Sequence, residues 1–324
     1  MTENRCSNEL SELLQSILAN AFDYADTSAN EYVVSRTENG KLKYAVLHLW
    51  SAIQLLLKCR VIFTDWKRVV KCGENKVPIF SQFCDGGYKT IYHASLVREL
   101  RSILEEDENH NDSSLLELID KYKGDLEALR KLRNKLEHFT DTLDPASYEP
   151  TLASVWQFTF EAGTIIADQI LCNIPHSDIA LYDRWNAIKQ QIAGDKRFSV
   201  ERLGEIQNQI DAYKKKGVIL IQCYNCSHFA IPVDNKLEPC LFCKKESDGA
   251  CFFEIWWENE TGEYLTQNGV PEGHPWNAGM CPNCEERGYY VMTDEAKSVP
   301  SDVLTLCFSC GYSTRKNQSV RKEH

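Results

Sequence analysis

Apolar residues recur at three- and four-residue steps through the first two thirds of the chain, which is the period of an amphipathic helix. One stretch, 42–66, is instead apolar on nearly every side, as in a helix that its neighbours bury. Another, 115–139, carries a continuous apolar stripe and ends before the helix-breaking pair Asp144-Pro145. The pattern predicts helices over residues 8–22, 42–66, 92–104, 115–139, 148–172 and 177–215, with the last of these split again near Gly194.

The pattern changes after Gly217, where the helical period ends. A strand-like run, VILIQC, opens this region, and four Cys-x-x-Cys pairs follow it. The pairs form two quartets, so we divide the region into small modules at 217–260 and 261–324, after a helical domain at 1–216. The sequence therefore predicts a mainly α fold, in which an N-terminal helical bundle precedes two small β modules.

Each quartet joins two Cys-x-x-Cys turns, or knuckles, which together point four thiolates at one ion. The knuckles are separated by 13 residues in the first quartet and by 22 in the second. Sequential pairing is favoured over a cross-braced pairing, because each quartet then closes its own module. The segments CPNCEERGYYV and LTLCFSCGY resemble zinc ribbons, with a strand after the first knuckle and Gly after the second. The predicted ligands are Cys223, Cys226, Cys240 and Cys243 for one ion and Cys281, Cys284, Cys307 and Cys310 for the other.

Four thiolates complete the tetrahedral coordination of Zn²⁺ and leave no open position. We therefore expect two structural zinc ions per chain rather than a catalytic metal. His228 and His274 are either substitute ligands or ordinary residues beside the metal. The aromatic residues of this region either stack on nucleic-acid bases or form the small core of the modules. These residues are Trp256, Trp257, Trp276, Tyr289 and Tyr290.

Composition and charge limit which functions and cellular locations are compatible with this chain. A net charge of −11 excludes non-specific coating of nucleic acid, although a local basic patch can still bind RNA. Fourteen cysteines and a start without a basic, then apolar leader favour a reducing, cytoplasmic location. The most apolar stretch, 44–57, is too short for a membrane span, which needs roughly 18–20 apolar residues, so we expect no membrane contact. The six cysteines outside the quartets are expected to be small packing residues.

Two helical segments carry a family resemblance. The segment AVLHLWSAIQLLLKCRVI resembles the buried second helix of HEPN-domain proteins, which ends in a similar Leu-Leu-Lys. The segment LRNKLEHF resembles their signature, in which an Arg and a polar residue precede a His near a helix end. The resemblance covers roughly residues 8–172, and it identifies a family rather than an individual protein.

The resemblance implies an all-helical, HEPN-like bundle that dimerises and a metal-independent endoribonuclease, a hydrolase known from toxin and antiviral defence systems. Arg133 and His138 match the catalytic pair of these enzymes, and Asn134 matches the polar residue after the Arg. Some members carry a Tyr two residues after the His that a partner nucleotidyltransferase modifies. Here that position is Thr140, which argues against such a pairing. Other members are non-catalytic RNA-binding or scaffold domains, and this is the alternative function.

The helical wheel leaves two readings of the motif open. At about 100° per residue, Arg133 falls within the apolar stripe and His138 falls on roughly the opposite side. An enzyme would therefore need a second copy of the chain, or a helix that unwinds before Phe139. Alternatively, Arg133 forms an ion pair with Glu137, one helical turn later, and His138 lies at the helix end without a catalytic role. We expect RNA as the substrate, a homodimer formed by the helical domain, and RNA or a protein partner at the zinc modules.

Overall fold

The structure is a computed structural model, and two compact units make up the chain, at 1–201 and 202–324. The structure describes only the backbone of the strands at 279–280 and 287–292 and of a few residues at the ends of other described ranges. The described residues are 2–38, 40–71, 77–106, 113–138, 145–173, 179–234, 236–244, 252–253, 255–258, 279–284, 287–292, 299–310 and 312–315.

The described part of the chain is mainly helical, which confirms the expected fold class. A short 3₁₀ turn, Trp66–Val69, follows the second helix. The helices are α1 (Thr2–Val34), α2 (Lys41–Asp65), α3 (Phe80–Cys84), α4 (His93–Glu106), α5 (Ser113–Lys121), α6 (Lys123–His138), α7 (Pro145–Leu171), α8 (Ile179–Ala193) and α9 (Lys196–Lys215).

Helix α2 is the central helix of the N-terminal unit, as its apolar sequence predicted. It packs against α1, α4, α6 and α7, and it buries residues on all sides. Among the described residues, one helical stretch, Lys41–Val69, is long and apolar enough to cross a membrane, and 61% of its most apolar window is buried inside the protein. That burial is typical of the core helix of a soluble protein.

The apolar stripe at 115–139 forms two helices rather than the single helix that we predicted. A turn at Tyr122 separates α5 from α6, although amide bonds from Tyr122 to Leu118 and from Leu126 to Tyr122 carry the helical pattern across it. The stripe itself packs as expected. Its buried members are Leu115, Leu118, Ile119, Tyr122, Leu126, Leu129, Leu132 and Leu136.

Two antiparallel sheets lie in the C-terminal unit. The first pairs β1 (Ile219–Gln222) with β2 (Phe229–Val233), with Ile219 opposite Val233. The second has four strands in sequence order, and β4 pairs with β5 through Tyr290 opposite Cys307. These four strands are β3 (Gly279–Met280), β4 (Arg287–Met292), β5 (Val303–Cys307) and β6 (Ser313–Arg315).

The scattered cysteines follow our expectation only in part. Cys59 is buried on α2, as expected of a small packing residue. Cys84 and Cys172 are exposed, so the expectation is wrong for both. Cys84 ends the short α3, and Cys172 follows α7, where neither element buries the chain on all sides. Cys72, Cys251 and the side chain of Cys6 lie outside the described residues.

Trp185 of α8 packs against both α1 and α7. Its ring stacks on Phe22 of α1 with centroids 4.7 Å apart, and its Nε1 donates to Thr164 Oγ1 of α7 at 3.2 Å. Gly163 leaves the space for this ring, because a Cβ atom there would lie 2.4 Å from Cζ2 of Trp185.

We predict that Gly163→Ala lowers the free energy of unfolding by about 1–3 kcal/mol, because the added methyl group overpacks a closed core. The matched control is Gly124→Ala on α6, where a Cβ atom would meet nothing within 4 Å. That change should be neutral or stabilise by up to about 1 kcal/mol. Thermal and urea unfolding measure both effects, and equal stability of the two variants would contradict the packing account.

Candidate metal centres and the α6 motif

The first quartet lies at the turn of the β1–β2 hairpin. Cys223 and Cys226 occupy the turn between the strands, and Cys240 and Cys243 lie in a second turn. The Sγ atoms of Cys223 and Cys243 are 3.7 Å apart, as are those of Cys226 and Cys240. All four sulfurs lie within 4.8 Å of one another and all four residues are buried, so the cluster could hold one metal ion.

Both knuckles of this quartet close with the same backbone turn. The Ser227 amide donates to the Cys223 carbonyl at 2.7 Å, and the Lys244 amide donates to the Cys240 carbonyl at 2.8 Å. Ser227 and Lys244 each have a φ of 59°, a left-handed conformation that costs roughly 1–3 kcal/mol when the residue is not glycine. Such strain persists where the surroundings impose it, as a metal ion bound to both knuckles would.

Arg202 of α9 holds the second knuckle of the first quartet. Its Nε donates to the Phe242 carbonyl at 3.1 Å, and its Nη2 donates to the Leu241 carbonyl at 3.0 Å. Both carbonyls lie between Cys240 and Cys243, and Arg202 is 4% exposed. The buried guanidinium therefore fixes the knuckle and adds positive charge beside the thiolates.

An asparagine occupies the same position in the first knuckle of each quartet, in Cys-Tyr-Asn-Cys and Cys-Pro-Asn-Cys. Nδ2 of Asn225 lies 3.4 Å from Sγ of Cys243, and Nδ2 of Asn283 lies 3.5 Å from Sγ of Cys310. In both modules the amide reaches the last cysteine of the quartet, where its hydrogen bond favours the thiolate. Comparison of the two knuckles in the sequence could have revealed this shared contact.

The second quartet is more open than the first. Sγ of Cys281 lies 3.6 Å from Cys310, and Sγ of Cys284 lies 3.8 Å from Cys307. All four sulfurs lie within 4.8 Å of one another, so this cluster could also hold a metal ion. Cys281 and Cys307 are buried, whereas Cys284 and Cys310 are partly exposed. Both quartets are the sequential ones, since no sulfur of one joins the other cluster.

The thiols within each quartet oppose one another's ionisation. Hydrogen bonds from Cys223, Cys226 and Cys240 lower the pKa of Cys243 well below that of an ordinary thiol. The same network raises the pKa of Cys226, first through Cys223, and also that of Cys240. Burial opposes ionisation of Cys310, but hydrogen bonds from Asn283, Tyr312 and Cys281 lower its pKa to about 7. A cation is therefore needed before all four thiols of a quartet can ionise together.

His228 is a packing residue and not a ligand in this structure. Its Nδ1 donates to the Cys226 carbonyl at 2.7 Å, and its ring stacks on Phe242 with centroids 3.8 Å apart. This contact leaves the four cysteines as the ligand set of the first cluster. His274 lies outside the described residues.

Aromatic side chains connect the two knuckle regions. Phe308, between Cys307 and Cys310, packs on Phe252 and on Trp256, with centroids 5.8 Å and 4.9 Å away. Phe252 in turn contacts Tyr224 of the first quartet, with centroids 5.6 Å apart.

The small-core alternative therefore describes Trp256 and Trp257, which are both buried. The stacking alternative does not apply to these two rings, because a buried ring offers no face to a base. Trp276 and the side chains of Tyr289 and Tyr290 lie outside the described residues.

The helical unit places the second predicted site near the end of α6. Nη1 of Arg133 donates to Oδ1 of Asn134 at 3.0 Å, and Nη2 of Arg133 lies 2.6 Å from Oε1 of Glu137. The Arg133 and Glu137 side chains are 33% and 31% exposed, so the pair is open to solvent. α6 remains helical as far as His138. The side chain of His138, like Thr140, lies outside the described residues.

Arg130, one turn earlier on α6, is held differently from Arg133. Its Nε and Nη2 donate to the two carboxylate oxygens of Glu127, both at 2.7 Å. Arg133 instead divides its guanidinium between an amide and a carboxylate. Both donor groups of the Arg130 guanidinium therefore bind one carboxylate, whereas those of Arg133 bind two different side chains.

His93 lies beside α6 and was not among the predicted site residues. Gln54 Nε2 donates to Nδ1 of His93 at 2.7 Å, and the ring packs on Trp50 with centroids 4.7 Å apart. Burial lowers the pKa of His93, with a further decrease from Arg130 that Glu127 opposes. No motif marks this residue, because its neighbours come from helices far apart in the sequence.

Comparison of the chain with protein-family models, with curated proteins and with solved structures finds no match. The site must therefore be interpreted from its own residues and geometry.

We predict that Arg202→Met weakens metal retention at the first quartet by about 10–100-fold, a typical effect of losing a residue that supports metal ligands. The second quartet should keep its affinity. Glu205→Gln is the matched control, since it removes the 2.7 Å ion pair of Arg202 but keeps its bonds to the knuckle. Cysteine alkylation in the presence of a chelator, read out by mass spectrometry, follows the two quartets separately. First-quartet cysteines that Arg202→Met protects as well as wild type does would contradict the role of Arg202.

Proposed function

We propose that the two quartets bind two structural zinc ions and that each module is a zinc ribbon. Zinc bonded to four sulfurs at about 2.3 Å in a tetrahedron separates the sulfurs by about 3.8 Å. The closest sulfur pairs here are 3.6–3.8 Å apart, which supports this assignment. An all-thiolate donor set suits zinc and excludes the oxygen-seeking cations Mg²⁺ and Ca²⁺.

Protein purified without a chelator should contain about two zinc ions per chain. Stripping the metal should unfold the C-terminal unit and leave most of the helical signal, because binding and folding are coupled in small zinc modules. Elemental analysis and circular dichroism measure the two effects. The double variant Cys281→Ser/Cys284→Ser should keep one zinc, whereas Cys84→Ser, outside the quartets, should keep both. Fewer than one zinc per wild-type chain would overturn the assignment.

We propose that the helical unit is a HEPN-type endoribonuclease, with the zinc modules recruiting RNA or a protein partner. The observation that carries this proposal is the Arg133–Asn134 hydrogen bond, partly exposed near the end of α6. The buried leucines of α6 fix the helix against the core, so the motif stands on a rigid element. The fixed charge and forked donors of an arginine suit a phosphate group.

The proposed reaction needs no catalytic metal. The 2′-hydroxyl of RNA attacks the adjacent phosphorus, the bond to the 5′-oxygen breaks, and a 2′,3′-cyclic phosphate and a 5′-hydroxyl result. An imidazole titrates near neutral pH, so His138 can take the hydroxyl proton or protonate the leaving oxygen. Arg133 stabilises the extra negative charge of the transition state, and Asn134 orients the phosphate or the imidazole. DNA lacks the 2′-hydroxyl and should not be cut.

The ion pair between Arg133 and Glu137 favours the second candidate, a non-catalytic HEPN-like scaffold or RNA-binding regulator. In that function the pair is a permanent part of the helix surface. However, a partly exposed pair of this kind contributes only about 0–1 kcal/mol. A phosphate can therefore displace Glu137, and the enzyme remains the leading proposal.

The enzyme proposal includes a homodimer. Five residues along α6 turn the helix by about 140°, so Arg133 and His138 of one copy diverge. A two-fold interface through the helical unit would let Arg133 of one copy and His138 of the other face the same phosphate. The two basic helices would meet there, so the interface must hold a water-filled cleft or an anion between them.

We predict that Arg133→Ala and His138→Ala each slow RNA cleavage by at least about 100-fold, with fold and dimer intact. Arg130→Ala is the matched control, because it removes the same residue type from the same helix. It should cut as wild type does. Glu137→Gln frees Arg133 from its carboxylate and should retain activity. The assay uses labelled RNA in EDTA, with zinc content checked afterwards.

Two outcomes would contradict the enzyme proposal. A folded dimer that cuts no RNA would leave the scaffold as the function. A His138→Ala protein that cuts as fast as wild type would assign the activity to other residues or to a contaminant. Light scattering that finds only monomer, with or without RNA, would remove the shared cleft.

A further inference from the structure

A short two-stranded ribbon follows α2 in the helical unit. Val70 and Thr90 form an antiparallel bridge, the Lys71 amide donates to the Lys89 carbonyl at 2.8 Å, and the Ile91 amide donates to the Val69 carbonyl at 2.9 Å. The bridge therefore places Lys71 and Lys89 opposite each other, and both side chains are exposed. Like charges in opposite positions destabilise a strand pair, so their juxtaposition has no structural benefit.

The lysines around this ribbon form no ion pair with any residue that the structure describes. Among the residues that the structure describes, no ion pair joins Lys58, Lys67, Lys71 or Lys89 to a carboxylate. Lys58 of α2 reaches the ribbon through a 2.9 Å bond to Thr90 Oγ1, and burial lowers its pKa. The nearby Asp65 is used as a cap, since its side chain accepts the Lys67 amide. In a chain of net charge −11, this is a local excess of positive charge.

An exposed aromatic ring adjoins the lysines. Tyr92 follows the ribbon, and its side chain is 75% exposed. Nζ of Lys71 lies 3.5 Å from the centroid of the Tyr92 ring, a cation–π contact that holds the ring in place. An exposed aromatic ring beside unpaired lysines is the arrangement that binds single-stranded nucleic acid, because bases stack on the ring while the lysines contact phosphates.

We propose a docking surface for single-stranded RNA on and beside this ribbon, formed by Lys67, Lys71, Lys89 and Tyr92. The inference rests on the proposal that the helical unit binds RNA, and it adds a surface that holds the strand outside the α6 motif. Lys71 and Lys89 contact neighbouring phosphates, and a base stacks on Tyr92. Sequence preference is weak, since every base has a face that stacks.

The test measures binding of a fluorescent, mixed-sequence single-stranded RNA by the His138→Ala protein, so that cleavage does not interfere. Lys71→Gln/Lys89→Gln should weaken binding about tenfold or more near physiological salt. It should also reduce the slope of log K against log salt by about 1.4, since each phosphate contact on a single strand contributes about 0.7. Tyr92→Ala should weaken binding roughly tenfold and leave the slope unchanged. Tyr92→Phe should restore binding.

Matched controls lie elsewhere on the same unit. Lys196 is an exposed lysine of α9, and Tyr44 is a half-exposed tyrosine of α2. Lys196→Gln and Tyr44→Ala should each change the affinity by less than about twofold. Thermal unfolding of every variant separates loss of binding from loss of fold, because these surface changes should leave the melting temperature unaltered.

The outcomes separate this inference from the enzyme proposal. RNA binding that survives both the double lysine change and Tyr92→Ala overturns the docking surface, whereas cleavage dependent on Arg133 would still stand. If these changes weaken RNA binding but the wild-type protein cuts no RNA, the docking surface is supported and the enzyme proposal is wrong. A poly-glutamate peptide that binds as tightly as RNA, with no effect of Tyr92→Ala, would overturn the RNA assignment in favour of an acidic protein segment.

Discussion

Four cysteine sulfurs held within 4.8 Å of one another, twice in the C-terminal unit, are the constraint on which that unit depends. Such thiols cannot all ionise without a cation, and short strands bury too little apolar surface to fold alone. The left-handed turns at Ser227 and Lys244 add strain that a metal bound to both knuckles would maintain. Metal binding, the geometry of the knuckles and the folding of the modules are therefore coupled.

The two quartets differ in their burial and in the residues that support them. Arg202 fixes the first quartet from α9, and all four of its ligands are buried. The second quartet has two partly exposed ligands, and Phe308 ties it to the aromatic cluster beside the first. We infer that the second site exchanges its metal more readily, because two of its ligands are partly exposed. The helical unit, by contrast, is stabilised by burial around α2.

The sequence predicted those features that are written in local patterns. Cysteine spacing gave both quartets, and continuous apolarity identified α2 as the central helix. The pairing of Arg133 with Glu137 was anticipated as an alternative, because residues one helical turn apart are neighbours. The break at Tyr122 was missed because the apolar stripe continues across it. Arg202 was missed because it contacts a knuckle about 40 residues away, and no local signal reports such a contact. The place of the His138 side chain stays a prediction.

We propose that each quartet closes completely around its own tetrahedral metal ion. Replacement of the bound metal by Co²⁺ tests this directly, because the visible absorption of Co²⁺ reports both coordination number and sulfur ligation. We expect the spectrum of a tetrahedral, all-sulfur site to grow until two equivalents are bound. Arg202→Met should shift only the loading of the first quartet. Saturation at one equivalent, or a spectrum of six-coordinate or oxygen-ligated Co²⁺, would contradict it.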